Sequence, residues 1–359
     1  NYTTTEFLPA WQVDTEGDYR ITVETDLDDE VPSNDRKDSV VYMYNTSDVG
    51  TLSINYPTPI ALEGQITVNA TVYNFGTLDQ STVPVNCSIY TASEVEIFSD
   101  DMESGIGGWT HYNNSGPDLW HLTDSHYQSY NHSWFCGYEP WGYADNMENV
   151  LESPWIDLST AQYPTLHFSL YVDLESCCDF LHLYVCSNAS GCTLMGTWAG
   201  TTEWNEVNVA LQQYVGDIIQ LQFVMDTDSS VTYDGVCIDD INITGYTPGS
   251  LLFSDDVSVN LAAGQSRDVE FAPWTAVPGC YFVNVSTQLA GDEDSSNNAT
   301  QQVTHILPGV VNVDDDFDSS TPGWGTYNFS SIQTALYNVM PYGTVNVFNG
   351  FYNESVRID

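Results

Sequence analysis

The stretch Leu181-His182-Leu183-Tyr184-Val185 decides the fold class, because large apolar residues occupy every second position along it. The same alternation occurs at residues 19–23 and 66–72. Successive side chains of a β-strand point to opposite faces, so a period of two predicts strands with one buried face. Turn-forming clusters interrupt the alternation at short intervals, as in β-sandwiches. A helical period occurs at residues 330–339, so the sequence predicts an all-β protein with one short C-terminal helix.

The charge balance is the extreme feature of the composition. Fifty Asp and Glu residues face five Lys and Arg residues in 359 positions, which gives a formal net charge of −45. Such a surface repels nucleic-acid phosphates and anionic membranes, so we expect no nucleic-acid partner. It attracts hard cations such as Ca²⁺, which prefer oxygen ligands. Salt adaptation and simple solubility explain the charge as well as cation-dependent assembly does.

The sequence contains no apolar run long enough to span a bilayer, so we expect no membrane span in this chain. Its 42% of hydrophobic residues can form packed cores, and its length suits about two to four domains. It begins at Asn1 and ends at Asp359, inside segments with the pattern of folded structure. We therefore expect a processed product or the ordered part of a longer protein.

Eight cysteines scattered along the chain indicate an oxidising compartment. None belongs to a CxxC pair, so neither zinc-ribbon nor thioredoxin spacing is present. Cys186 and Cys192 flank a turn-forming segment, and we expect them to close a hairpin loop. Four other cysteines could form two more disulfides and the last two could pair with each other, although the sequence does not determine this connectivity. The four are Cys136, Cys177, Cys178 and Cys237, and the last two are Cys87 and Cys280.

Asn-x-Ser/Thr sequons are spread over the whole chain and predict N-linked glycans. Compositional bias in a chain rich in Asn, Ser and Thr is the alternative explanation. Together with the cysteines, the sequons predict an extracellular or cell-surface protein. The candidate glycosylation sites are Asn1, Asn45, Asn69, Asn86, Asn113, Asn131, Asn188, Asn242, Asn284, Asn298, Asn328 and Asn353.

An internal repeat marks related domains. The pattern Gly-x-Tyr-x-(Ile or Val)-x-Val-x-Thr-x-Leu occurs at residues 17–27 and again at 279–289, and an acidic loop follows each copy. This pattern resembles the CARDB type of immunoglobulin-like domain found in bacterial and archaeal surface proteins. The resemblance implies a partial domain at residues 1–47 and a complete domain split between residues 48–97 and 250–308.

The insert between the two halves, residues 98–249, resembles the MAM-like jelly roll of immune-inhibitor-A-type secreted proteins. Matching blocks occur in order at residues 101–105, 108–109, 119–121, 151–159, 164–168, 215–223 and 234–241. The resemblance implies a jelly-roll β-sandwich inserted into an immunoglobulin-like sandwich. It covers an accessory domain of that protein type, so it implies no peptidase activity.

The last segment, residues 309–359, resembles the cap helix and first coil of right-handed parallel β-helix surface proteins. The matching blocks are residues 311–317, 332–336 and 343–352. One coil cannot bury its own apolar face. We therefore expect either further coils or an assembly arm that packs against another surface.

The MAM-like resemblance also implies a structural calcium ion where the first and last strands of the jelly roll lie side by side. The candidate ligands are Asp101, Glu103, Asp239 and Asp240. Adjacent residues of a strand point to opposite faces, so only one of the last two faces the core, and we expect Asp240. Solvated acids at the strand ends are the alternative.

Catalytic motifs such as HExxH and GxSxG are absent from the sequence, so we expect no enzyme. Seven of the ten tryptophans lie in the insert, Trp204 among them. Core packing is the favoured explanation for them, and sugar binding is the alternative. A polar stretch of the insert contains several histidines whose spacing matches no metal motif, and we interpret them as surface residues. They are His111, His121, His126 and His132.

The partial domains at both ends suggest a function. Half a sandwich exposes a hydrophobic face and open strand edges. Another copy of the chain could complete it by strand addition, and a head-to-tail contact that does not close makes a filament. The sequence thus predicts a structural subunit of an extracellular glycoprotein filament or surface layer, with copies of itself as partners. The alternative is a secreted adhesion or carbohydrate-binding module with a calcium-braced jelly roll and glycans as ligands.

Overall fold

The computed structural model describes residues 16–25, 36–140, 142–160 and 162–358. The chain divides into two compact units. The first comprises Asn1–Thr91 with Ser250–Asp359, and the second is the insert Ala92–Gly249. The insert begins slightly before the predicted residue 98 and ends at the predicted residue 249. The segments expected as separate, residues 1–47 and 309–359, fall within the first unit, although much of the former lies outside the described residues.

Almost all regular structure is β, which confirms the predicted fold class. Before the insert the strands are β1 (Gly17–Glu24), β2 (Arg36–Met43), β3 (Val49–Tyr56), β4 (Ile60–Leu62), β5 (Gly64–Asn74) and β6 (Gln80–Asp100). The insert contributes β7 (Thr110–Ser115), β8 (Trp120–Thr123), β9 (Ser133–Cys136), β10 (Glu148–Glu152), β11 (Ile156–Asp157), β12 (Gln162–Asp173), β13 (Phe180–Ser187), β14 (Gly191–Trp198), β15 (Thr201–Ala210) and β16 (Ile218–Asp226).

The long strand β17 (Gly235–Leu261) leads the chain back to the first unit. The remaining elements are β18 (Ser266–Ala276), β19 (Gly279–Thr287), β20 (Ala299–Leu307), β21 (Val310–Val313), β22 (Asn328–Phe329), helix α1 (Ile332–Tyr337) and β23 (Thr344–Val347). In the described part of the chain, no helix is long and apolar enough to cross a membrane.

The first unit packs its strands around an apolar core. One sheet has the order β18-β5-β3, and β19 pairs with β6 on one side and β20 on the other. The predicted alternation at residues 66–72 lies on β5, where every second side chain is buried. These core side chains are Ile66, Val68, Ala70 and Val72. The second copy of the repeat forms β19, which alternates between buried and half-buried positions from Val283 to Thr287.

A buried asparagine shapes the turn after β5. Asn74 Oδ1 accepts the backbone N–H of Gly76 at 3.0 Å, and its Nδ2 donates to the carbonyl oxygens of Leu78 and Leu261 at 2.8 and 3.1 Å. A Cβ atom on Gly76 would lie 2.4 Å from the carbonyl oxygen of Thr46. The turn therefore needs glycine, because no side chain fits so close to the neighbouring backbone.

The insert is a second β-sandwich. One of its sheets has the order β14-β13-β16-β10-β7, and in the other β12 lies between β15 and β17, with β9 and β8 added beyond β17. The stretch 181–185 lies on β13, and its alternate residues Leu181, Leu183 and Val185 are fully buried. The core also contains large aromatic side chains, namely Trp109, Trp120, Trp134, Phe168 and Phe223.

The C-terminal strands pair in parallel. β21 pairs with β22 on one side and β23 on the other. An asparagine ladder crosses the three strands, because Asn346 Nδ2 donates to Asn312 Oδ1 at 3.1 Å and Asn312 Nδ2 donates to Asn328 Oδ1 at 3.0 Å. The helix α1 lies inside the predicted range 330–339. Parallel pairing agrees with the β-helix resemblance, which itself stays a prediction.

The disulfides differ in part from the expectation. Cys186 bonds to Cys192 across the β13–β14 hairpin, as expected. Cys177 bonds to its neighbour Cys178, so these two residues are not partners for the other cysteines of the insert. The sequence left the pairing of the four cysteines of the insert open. In the structure, two of them form one disulfide between adjacent residues.

The other expected disulfides are wrong. Cys136 lies opposite Val236 and Cys237 opposite Phe135, so the two neighbouring thiols project from opposite faces of the sheet. Cys87 is not bonded to Cys280, because it lies opposite Val285 of β19, five residues along the strand from Cys280. The sequence suggested the Cys87–Cys280 pair by elimination, and elimination ignores where each cysteine lies in the sheet.

We expect Cys87, Cys136 and Cys237 to resist alkylation in the folded protein. The thiolate is the reactive form. Burial raises the pKa of Cys87 to about 12 and also raises the pKa of Cys136 and Cys237, so all three stay protonated at pH 8. Iodoacetamide should label them at least about 100-fold more slowly before denaturation than after it. Peptide mass spectrometry measures this ratio, and equal labelling in both states would show that the thiols are accessible.

Candidate functional site

Glu103, one of the predicted calcium ligands, holds the loop between β8 and β9, residues 124–132. Its Oε1 accepts the backbone N–H groups of Asn131 and His132 at 2.8 and 2.9 Å. Asp101 is exposed and accepts the backbone N–H of Glu103 at 3.2 Å. Glu103 thus has backbone donors as partners in this structure.

A β-bulge on β17 contains one of the two adjacent acids. Asp239 lies opposite Ser169 of β12 and Asn242 lies opposite His167, so three residue steps of β17 span two of β12. Asp240 lies in this bulge with a φ of 51°. Ile238 and Ile241 on either side of the two acids point into the core, so neither acid does; Asp239 is fully buried because the 124–132 loop covers it, and Asp240 is half-buried. The expectation that Asp240 faces the core is therefore wrong, whereas Asp239 lies on the outward face as expected.

Asp239 fixes the other part of the 124–132 loop. Its Oδ2 accepts the backbone N–H groups of Gln128 and Ser129 at 2.8 and 3.0 Å, and its Oδ1 accepts that of Asp240 at 2.8 Å. Burial raises the pKa of Asp239. In the described residues, no three of the four predicted ligands have ligand atoms that all lie within 4.8 Å of one another. Calcium at this position stays a prediction.

A groove of about 450 Å³ lies on the outward face of the sheet in which β12 is flanked by β15 and β17. β12 turns Phe168 and Leu170 into the core. The alternating neighbours His167, Ser169 and Tyr171 therefore face outward. The middle strand thus presents a row of polar and aromatic side chains on this face, and His167 and Ser169 of that row line the groove.

An aromatic pair borders the groove. Between residues 202 and 205, three residue steps of β15 oppose two of β12, which is a second bulge. Trp204 lies in this bulge and is half-buried. The centroid of its ring lies 6.0 Å from that of Tyr171 at an interplanar angle of 45°, and the His126 ring lies 5.8 Å from Tyr171. A bulge redirects the side chain that it contains, and here it places an indole beside the neighbouring phenol.

The polar side chains of the groove are partly paired with each other. His167 Nδ1 bonds to Asn208 Oδ1 and lies 3.6 Å from Glu206 Oε1. His167 Nε2 lies 3.5 Å from the hydroxyl of Thr244. The side-chain oxygen of Asn242 is buried, and no described residue donates a hydrogen bond to it. The groove thus presents donors and acceptors next to its aromatic border.

The groove is acidic. Glu206 and Asp240 line it, and residues 92–249 contain no Lys or Arg at all. Burial, and then the nearby carboxylates of Asp173 and Asp234, raise the pKa of Tyr171. Such a surface repels anionic ligands and tolerates neutral or cationic ones.

The predicted glycosylation sites differ in exposure. Asn1 lies outside the described residues, and the exposed sites are Asn45, Asn113, Asn131, Asn188 and Asn353. The half-buried sites are Asn69, Asn86, Asn242, Asn284, Asn298 and Asn328. Asn86 Nδ2 donates to Ser254 Oγ and Asp256 Oδ1 at 3.1 and 3.0 Å. Glycosylation stays a prediction at every site.

The four histidines singled out in the sequence do not form one site. The nearest ion-pair partner differs for three of them: His111 lies 2.9 Å from Asp118, His126 lies 3.8 Å from Asp234, and His132 lies 3.2 Å from Glu103. His121 Nδ1 lies 2.9 Å from the carbonyl oxygen of Leu119. In the described residues, no group of three or more potential metal ligands includes a histidine.

Sequence reasoning named Trp204 as a possible sugar contact, named Asp240 and Asn242 only as a calcium ligand and a glycosylation site, and missed the rest of the groove. The alternation of β12 contains a usable signal, because it places His167 and Tyr171 on one face. The contributions of Glu206 and Asn242 have no local signal, since they depend on which strands pair with β12.

Comparisons with known proteins find partial similarities. No protein-family model matches the chain. Immune inhibitor A of Bacillus thuringiensis subsp. alesti is 26% identical over 122 residues, which are 31% of this chain and 18% of that protein. The chain therefore spans less than a fifth of the length of this relative.

Two solved structures illustrate the structural similarities. The K3 cleaved adhesin domain of Lys-gingipain from Porphyromonas gingivalis W83 covers 42% of this chain and all of that domain, with 17% identity and a TM-score of 0.32. The family 11 carbohydrate-binding module of Clostridium thermocellum, in complex with a mixed-linked tetrasaccharide, covers 43% of this chain and 95% of that one. Its identity is 12% and its TM-score is 0.30. The CARDB and MAM assignments stay resemblances.

Proposed function

We propose that the insert is a glycan-binding or adhesion module of an extracellular protein, and that the groove on β15, β12 and β17 binds a neutral carbohydrate. The observation that carries the proposal is the position of Trp204 and Tyr171 beside His167 and Glu206 on one open sheet face. An aromatic face packs against the C–H surface of a sugar ring, while flanking polar groups bond its hydroxyls. In this proposal the protein binds and does not catalyse.

The charge of the groove selects among carbohydrates. Glu206 and Asp240 have no Lys or Arg partner within the insert. A sulfated or sialylated glycan would bring further negative charge to this surface and be repelled. Neutral hexose chains fit, since carboxylates accept hydrogen bonds from hydroxyl groups.

A glycan array with wild-type protein and two tryptophan variants tests this function. Trp204→Ala should weaken binding to neutral glycans at least about tenfold, which corresponds to about 1.4 kcal/mol. Trp155→Ala is the matched control, because Trp155 is 53% exposed and does not line the groove. Absence of binding by the wild-type protein, or an equal loss in both variants, would refute the groove as the site.

Assembly into a filament or surface layer is the second candidate. One observation favours it: β1 and β2 pair only with each other among the described strands. This hairpin exposes the apolar side chains of Ile21, Val23, Val40 and Tyr42. Unpaired strand edges of this kind accept a strand from another chain. Electron microscopy of the purified protein should show fibres or sheets, and dispersed particles at high concentration would rule this candidate out.

A further inference from the structure

Three carboxylates meet in the insert away from the groove. Glu175 and Asp179 lie in the connection between β12 and β13, and Asp228 follows β16. One oxygen from each lies within 4.8 Å of the others. The sequence did not indicate this cluster, because its members come from two connections far apart in the chain.

The cluster is built into the fold. Asp179 is only 1% exposed. Its Oδ2 accepts the hydroxyl of Tyr143 at 2.5 Å, and its Oδ1 accepts the backbone N–H of Asp228 at 2.8 Å. The Tyr143 hydroxyl in turn accepts the backbone N–H of Glu175 at 3.0 Å. These bonds hold the three acidic residues in place.

One oxygen of the cluster lacks a partner. Glu175 Oε2 is buried and has no hydrogen-bond donor among the described residues, although the residue as a whole is partly exposed. A buried acceptor without a partner costs about 1–3 kcal/mol, and more when it is charged. This oxygen needs a cation or a proton.

No basic side chain of the insert can neutralise the cluster, because residues 92–249 contain neither Lys nor Arg. Three carboxylates at such distances repel one another strongly when all are ionised. The adjacent sulfurs of Cys177 and Cys178 are joined to each other, so they offer no thiolate. The available ligands are therefore oxygens, the donors that Ca²⁺ prefers.

We infer that Glu175, Asp179 and Asp228 bind a divalent cation of the calcium type, at a site separate from Asp101, Glu103, Asp239 and Asp240. Glu175 Oε2 supplies a ligand that has no other partner. The ion joins the β12–β13 connection to the segment after β16. Water molecules complete the coordination shell, as they do in many extracellular calcium sites.

Isothermal titration with CaCl₂ after EDTA treatment and dialysis tests this site on the full chain. The wild-type protein should bind Ca²⁺ with a dissociation constant of about 10⁻⁴ M or lower. The double variant Glu175→Gln, Asp228→Asn should lose one binding equivalent. The control Asp315→Asn, Asp316→Asn removes the same amount of charge from an exposed acidic group and should keep it. Equal calcium binding by the wild type and the first variant would overturn the site. A proton that occupies the cluster in place of the ion would give this same result.

Hydrogen exchange of the wild-type protein tests the same inference without a variant. Saturating Ca²⁺ should slow exchange at residues 174–179 and 226–228 and raise the melting temperature by about 5 °C or more. Mg²⁺ at the same concentration should do less, because it gives up its water shell reluctantly. Unchanged exchange at both segments under saturating Ca²⁺ would contradict the inference.

Discussion

Replacing Trp109 by alanine should destabilise the insert by about 4 kcal/mol. The indole is 2% exposed. Its ring centroid lies 6.4 Å from those of Phe98, Trp134 and Phe223, and its Nε1 donates to Asp100 Oδ2 at 3.0 Å. The substitution therefore opens a large cavity between the two sheets and leaves the Asp100 carboxylate without this donor.

Trp155→Ala is the control for this prediction, because the same deletion at a 53% exposed position creates no cavity. It should change stability by about 0.5 kcal/mol or less. Urea unfolding followed by circular dichroism gives both values. A cost for Trp109→Ala close to that of Trp155→Ala would mean that the core between the sheets does not depend on this indole.

Replacing Asp239 by alanine should cost about 3 kcal/mol, the second largest effect. The substitution leaves the backbone N–H groups of Gln128, Ser129 and Asp240 without their acceptor. Asp239→Asn should cost less, since the amide keeps one acceptor oxygen. The loss should appear as faster hydrogen exchange in the 124–132 loop as well as in urea unfolding.

Asp226→Ala serves as the control for Asp239, because Asp226 is an exposed strand acid of the same unit. It should leave the exchange of the 124–132 loop unchanged. Equally small losses of stability and loop protection in Asp239→Ala and Asp226→Ala would show that the buried carboxylate does not hold the loop.

The sequence predicts the parts of this fold that depend on local periodicity. Alternation at residues 66–72 and 181–185 identified strands and their buried faces, and the short helix lies inside residues 330–339 as expected. These predictions are correct because the buried face of a strand follows from the residue pattern of that strand alone.

The sequence cannot predict features that depend on strand pairing. The bulge at Asp240 arises from the pairing of β17 with β12, and with it neither Asp239 nor Asp240 faces the core. The register between β9 and β17 likewise places the thiols of Cys136 and Cys237 on opposite faces of the sheet. The cluster of Glu175, Asp179 and Asp228 combines two distant connections, so no spacing in the chain reveals it.

Binding of a neutral carbohydrate in the groove is the central claim, and the ¹⁵N–¹H indole resonances of the tryptophans test it most directly. The Trp204 resonance, assigned with the variant Trp204→Phe, should shift when a neutral oligosaccharide selected on the array is titrated into the wild-type protein, while the Trp155 resonance should stay in place. Oligosaccharide binding that leaves the Trp204 resonance unchanged, or shifts other tryptophans instead, would contradict the account.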